Sequence, residues 1–598
     1  MMVKNWGAPV QLSETRTAAV CRDAFGRERI VIAAKGFFLI INPETEETIQ
    51  LSMNSSEYPY VSYATSGGLY CSGAGSVFYC IDPFAGKCVF KENAADEAAV
   101  FTLTEGPGGL VYFVSYPNLC VSEFDPVRLR LRRLPSLKSE SRYAGTMAAG
   151  GDGWIYIGLG TENPSIAAFH PATGEHSIIA RDSAVPGTGY VRKGNGGRVY
   201  GQYKTRALRM SDRDQDWAEL AGGKAVREIP PPEDDPEYWG EGFHTCHGQL
   251  TGADQLEASD LAEKKLKLTG KSISLFYKTR GAELSAVAAA PDGKLYGTSM
   301  HPMKLFTADK RGTKLLGSLE EGGGGNICTY ASLDDSTMIG FAYAGGKMYE
   351  FSLKKPFAPN RNPKLIGKTE AIHRPRDCAV HPNERCIVFS GFPGYGERGG
   401  SLGIYFPEKG KIDLLPPGQV IPDQSTVSLA FDSKGDMIGA TSILTPGGAR
   451  QMAEEAVLYK LNWKNKKIEN VSVPFPLEKE ISHICVSGNT GYGMTQSSLF
   501  FRFDSRTLAA DKLENCSAFG KPVRGGCIQT ADFAFFLLES AIWKVDFHSH
   551  YVSCLPVKEN ITSGGAIIGS ELYFCSGTSL LSMQISGGDA KWREVLRL

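Results

Sequence analysis

The segment Ile372–Asp377, "IHRPRD", places an imidazole, two guanidinium groups and a carboxylate on consecutive or near-consecutive residues. A guanidinium is a planar fork that grips a carboxylate through two parallel N–H···O bonds. Histidine exchanges protons close to neutral pH, as acid/base chemistry requires. The same residue types also suit an ordinary strand start in which Arg376 and Asp377 pair across a ladder, an arrangement worth little energetically. Pro375 fixes its own φ and keeps Arg374 extended. Downstream, "GFPGYGERGGSLG" carries Tyr395 and Arg398 among glycines that allow close backbone approach.

Other histidines lie outside this segment. His301 sits in "TSMHPMKLF", beside a proline. His244 and His247, in "FHTCH", have a spacing seen in zinc sites, but no third or fourth ligand follows, so a polar loop is the simpler reading. His548 and His550 fall on a surface turn. His170 and His381 fall on turns at the opposite end of their strands. "EEGGGGN" lacks the Lys-Ser/Thr of a phosphate loop, and neither GxSxG nor HExxH occurs. No pattern names a cofactor.

These residues are positioned by a repeat. "GGLYCSGAGSVFYCIDPFAGKCVF" from Gly67, "GGLVYFVSYPNLCVSEFDPVRLRL" from Gly108 and "DGWIYIGLGTENPSIAAFHPATGE" from Asp152 share one plan. Each has a glycine turn, an apolar strand with tyrosine, a break, a second apolar strand and a proline turn. Pro43, Pro83, Pro126 and Pro171 mark successive copies, and looser copies continue to the C-terminus. Short strands at this spacing, four to a unit, make an all-β chain of about twelve propeller blades. Twelve exceed one ring, so two propellers are expected. One division gives about seven blades in 1–369 and about five in 370–598. The other gives two near-equal rings, one of them closed by a strand from the terminus. Residues 227–283 interrupt the fifth unit as a partly helical insertion. Helical signals are confined to Gly248–Lys267 and to "ARQMAEEAV" from Ala449.

With turns such as "IDPFAGK" and "FHPATGE", the chain resembles the propeller superfamily of quinoprotein-like and YVTN/NHL-type repeats, and it lacks the GH…WD signature of WD40 blades. The resemblance covers nearly the whole chain and implies fold rather than chemistry.

In a blade with strands A to D from the axis outward, the D–A junctions and B–C loops emerge on one face. That face collects Tyr116, Asn118, Glu162, Tyr203, His301, Tyr343, Tyr395 and Arg398 from B–C loops. It collects Tyr58, Tyr143, the insertion with Trp239, and His373, Arg374 and Arg376 from junctions. Propeller-type polysaccharide and oligosaccharide lyases are similar in architecture, and that similarity implies β-elimination next to a uronic acid. Arg374, Arg376 and Arg398 would hold the carboxylate, with Tyr116, Asn118, Tyr203 and Trp239 against the sugars. His373 or His301 would abstract the proton, and Tyr395 or Tyr143 would protonate the leaving oxygen. The expected partner is then an acidic oligo- or polysaccharide. A non-catalytic propeller binding a protein or glycan is the alternative, and a cation-dependent lactone hydrolase a weaker third.

A net charge of −1 and the absence of any Lys/Arg block argue against nucleic acid, and no apolar run is long enough to span a membrane. Fourteen scattered cysteines without a CxxC pair, and a start without an apolar leader, set the expectation of a cytoplasmic protein.

Overall fold

A computed structural model describes residues 3–597 except 14, 54–57, 94–98, 182–185, 203–216, 232–255, 262–263, 269, 320–324, 550 and 586–591. The described chain is built almost entirely of antiparallel sheets, most of them four-stranded and each formed from consecutive strands. The repeat explains the unit. In "YCSGAGSVFYCID", Tyr70–Ala74 and Val77–Asp82 form a hairpin, and the proline turn then leads to Lys87–Asn93. The aspartate before that turn accepts two backbone N–H groups, as Asp82 does from Phe84 and Ala85 at 2.9 Å each. Asp125, Asp504 and Asp546 repeat the device. Such Asx turns fix the register of the outermost strand.

Neighbouring sheets pack face to face, so the core is a series of wedges between blades. In one wedge Phe78 stacks on Phe113 at 4.8 Å, with Phe124 beside them. Burying each such ring stabilises by roughly 1.5–3 kcal/mol. Outer strands are exposed and rich in charge, as in Lys87–Asn93 and Arg130–Ser136.

Seven inner strands succeed one another around an axis: Glu283–Ala289, Asn326–Asp334, Arg374–Val380, Ser425–Phe431, Ile481–Ser487, Pro522–Gln529 and Ser563–Ile568. The last lies beside the first, where Ser563 Oγ donates to Ser285 O at 2.9 Å. Side chains tie successive inner strands. Leu429 N donates to Asp377 Oδ2, and Ile484 N to Ser428 Oγ. Lys4–Asn5 pairs with Ser579–Gln584 and so supplies the outermost strand of the seventh sheet. Asn326–Asp334 and Arg374–Val380, on either side of the expected boundary at residue 369/370, are direct neighbours.

The first five sheets run from Thr15 to Glu228, with inner strands Thr15–Arg22, Pro59–Ala64, Ala99–Glu105, Tyr143–Ala149 and Tyr190–Lys193 following in order. A three-stranded sheet, Leu256–Ser274, packs on the first of them through Leu266, Leu268 and Ile273. The described part of the expected helix 248–267 is thus strand. Lys265–Leu268 alternates exposed and buried residues, a period of two beneath helix-forming composition. "ARQMAEEAV" is likewise loop, with the Arg450 N–H hydrogen-bonded across to Glu162. Among the described residues, no helix is long and apolar enough to cross a membrane.

Candidate functional site

The junctions and B–C loops of the two groups of sheets face each other. Lys35 bridges to Glu283 at 2.7 Å, and the Tyr58 ring lies 5.4 Å from His301. Glu162 takes Arg398 on one oxygen at 3.2 Å and Arg450 N–H on the other at 2.6 Å, while Thr161 Oγ1 donates to Gly447 O. Gly448, at φ +84°, allows this approach, because a Cβ there would stand 2.6 Å from Tyr143 Cε2. The face sorted from the sequence is thus the contact between the two halves.

Five of the residues expected at a site meet here. Arg374 lies 4.4 Å over the Tyr395 ring and 5.4 Å over Tyr343, and donates to Pro393 O at 3.1 Å. His373 stands 5.5 Å from Tyr395, edge to face. Its Nδ1 donates to Glu370 Oε2 at 2.8 Å, with Gly345 N 3.2 Å away. Burial lowers the His373 pKa, against the pull of Glu370. Tyr143 comes across from the first group, 4.7 Å from Tyr116. Burial raises the Tyr143 pKa, with the neighbouring Tyr116 adding to it and Arg374 opposing. This cluster is tightly packed, with His373 and Arg374 each only 8% exposed.

The open volume is next to it. A cavity of about 540 Å³ runs along the axis of the seven-strand ring, lined by Arg376, Leu429, His483, Ile484 and Arg524 among others. Arg376 is the extra residue of a β-bulge between Pro375 and Asp377, and the bulge re-aims it. It donates to Pro375 O at 3.2 Å and lies 4.8 Å over Phe392. Burial, then the repulsion of Arg524, push its pKa down to about 9, against the pull of Glu480. Among the described residues neither guanidinium has a carboxylate within salt-bridge distance. Asp377 does not pair with Arg376. It accepts from Leu429 N–H, Ser428 and Cys378 N–H, and burial outweighs these bonds to raise its pKa to about 6. His483 Nε2 donates to Val523 O at 2.8 Å.

The remaining expected residues disperse. Arg398 is held by Glu162 and, at 3.5 Å, by Asp423. The His301 ring lies edge to face with Tyr58, and Asn118 is on an exposed loop. His381 stacks on Trp463 at 4.2 Å on the far side. Tyr203, Trp239, His244 and His247 lie outside the described residues. Arg524, Glu480 and His483 were missed. In "EISHICV" and "KPVRGGC" they sit at the starts of inner strands, as Arg376 does, and that shared position was the available signal.

No protein-family profile and no curated protein matches the chain. Among solved structures, the extracellular domain of the putative one component system BT4673 from B. thetaiotaomicron is similar at 9% identity and TM-score 0.38, over 98% of this chain and 83% of that one. The extracellular domain of the putative hybrid two component system BT4673 from the same organism is similar at 8% and 0.36, over 99% and 84%. The cytoplasmic location expected above is withdrawn against this finding. Both solved structures are extracellular domains, and free cysteines alone do not fix a compartment.

Proposed function

We propose that the protein binds an acidic ligand, most concretely the carboxylate of a uronic-acid-containing saccharide, in the axial cavity of the seven-strand ring. The observation that carries this reading is the pair Arg376 and Arg524, which face one cavity without a carboxylate in salt-bridge contact among the described residues. Two like charges at one opening are costly until an anion arrives, and Arg forks suit a carboxylate. The loops around the opening are those that the first five sheets clasp, so the ligand would lie between the two halves of the chain.

Titration calorimetry with trigalacturonate tests this. Binding that falls at least tenfold in Arg524→Ala supports it; equal binding of a neutral trisaccharide, or none of the acid, refutes it. Catalysis by β-elimination is the second reading of the same site. A histidine, His483, opens on the cavity that holds the two arginines, and this favours that reading.

A further inference from the structure

Resting on that reading, we propose that His483 is the catalytic base of the cavity, taking the proton from the carbon next to a bound carboxylate. The geometry points to its Nδ1. Nε2 is committed as a donor to Val523 O at 2.8 Å, which leaves the lone pair on Nδ1. Nδ1 has no hydrogen-bond partner among the described residues. His483 lines the cavity together with Arg376 and Arg524. His373 is the contrast, for its free Nε2 is sealed from solvent.

The surroundings suit a neutral imidazole. Burial lowers the His483 pKa, with the Val523 carbonyl and Glu480 opposing, so the ring is uncharged at neutral pH. The charged and titratable groups around the cavity are Glu480 before its own strand, Arg376 and Asp377 from one neighbouring wall, Arg524 from another, and the Cys378, Cys485 and Cys527 thiols. Glu480, His483 and Arg376 line the same cavity. The arginines would neutralise the substrate carboxylate and so acidify the adjacent C–H.

The step balances without a redox partner. His483 Nδ1 takes the C5 proton of a uronate, and the C–H electron pair becomes the C4=C5 double bond. The C4–O bond breaks with its pair on the glycosidic oxygen, which receives a proton from water in the cavity. The saccharide is split into an unsaturated uronate and a shorter chain.

The test incubates the full chain with trigalacturonate and follows the ultraviolet absorbance of the unsaturated product, with affinity measured in parallel. His483→Gln keeps an amide donor for Val523 O. It should lower the rate about 10²–10⁴-fold while affinity stays within about threefold. The wild-type rate should also fall as pH drops below the ordinary histidine range. If wild type binds trigalacturonate but forms no product, or if His483→Gln is as fast as wild type, the assignment is overturned and the binding reading survives. If nothing binds, both fall.

Discussion

Replacing Arg376 by methionine should raise the melting temperature while removing affinity for acidic ligands. This guanidinium sits in a cavity wall that Arg524 shares, its pKa brought from the usual 12.5 down to about 9. At 1.36 kcal/mol for each tenfold change in proton affinity, that displacement corresponds to roughly 5 kcal/mol against the charged form. Water in the cavity screens much of this. The side chain is only half-buried by area, and loss of its contact with Phe392 works the other way. A net gain of about 1–2 kcal/mol remains, roughly 2–3 °C for a ring of about 300 residues. The pH dependence has a definite sign. A base whose proton is held less tightly in the fold than in the unfolded chain destabilises while charged. The stability gap between variant and wild type should therefore close as pH rises above about 9. Differential scanning calorimetry at pH 7 and pH 10 with matched ionic strength measures both. A variant that melts lower than wild type at pH 7, with its fold intact by circular dichroism, would refute the reasoning and make Arg376 a structural residue.

Other substitutions test separate parts of the account. Arg524→Ala should not lower the melting temperature, because its side chain makes no hydrogen bond or ion pair among the described residues and its removal relieves the repulsion on Arg376. Removing its charged hydrogen bonds should nonetheless weaken acid binding by about 1.5–3 kcal/mol in titration calorimetry. Asp377 has a folded pKa of about 6, so its contribution to stability is present below about pH 4 and lost as pH rises through 6. Asp377→Asn should flatten that part of the stability–pH curve, where wild type loses roughly 3 kcal/mol, as denaturant melts at pH 4 and pH 7 would record. Glu162→Gln removes the carboxylate that holds Arg398. Hydrogen exchange should then speed up in residues 393–400 and 443–450 together, with a stability cost of about 1 kcal/mol or less because the pair is partly exposed.

Much of this architecture is legible in the sequence, because it is written locally. The proline turns after Ile41, Asp82, Asp125 and Phe169 each close a third strand, and the alternating apolar runs give the strands themselves. Sorting loops by their place in the blade also identified the face where Tyr143, Tyr395, His373 and Arg374 meet. What escaped depends on contacts distant in sequence or on departures from a regular period. Lys4–Asn5 joins a sheet hundreds of residues away, and nothing in two residues announces it. Leu256–Ser274 contains many lysines, yet Leu261, Leu266 and Leu268 are buried against the first sheet and that packing decides for strand. Arg376 turns into the cavity through a bulge, which strict alternation cannot foresee. Arg524 and His483, from two other blades, join it there only through the radial arrangement.

The central claim is that an acidic ligand occupies the axial cavity on Arg376 and Arg524. A crystal structure of the full chain with trigalacturonate tests it most directly. The expected result is a carboxylate within hydrogen-bonding distance of both guanidinium groups and a sugar carbon facing His483 Nδ1. A saccharide bound elsewhere, with the cavity holding only water, would contradict it.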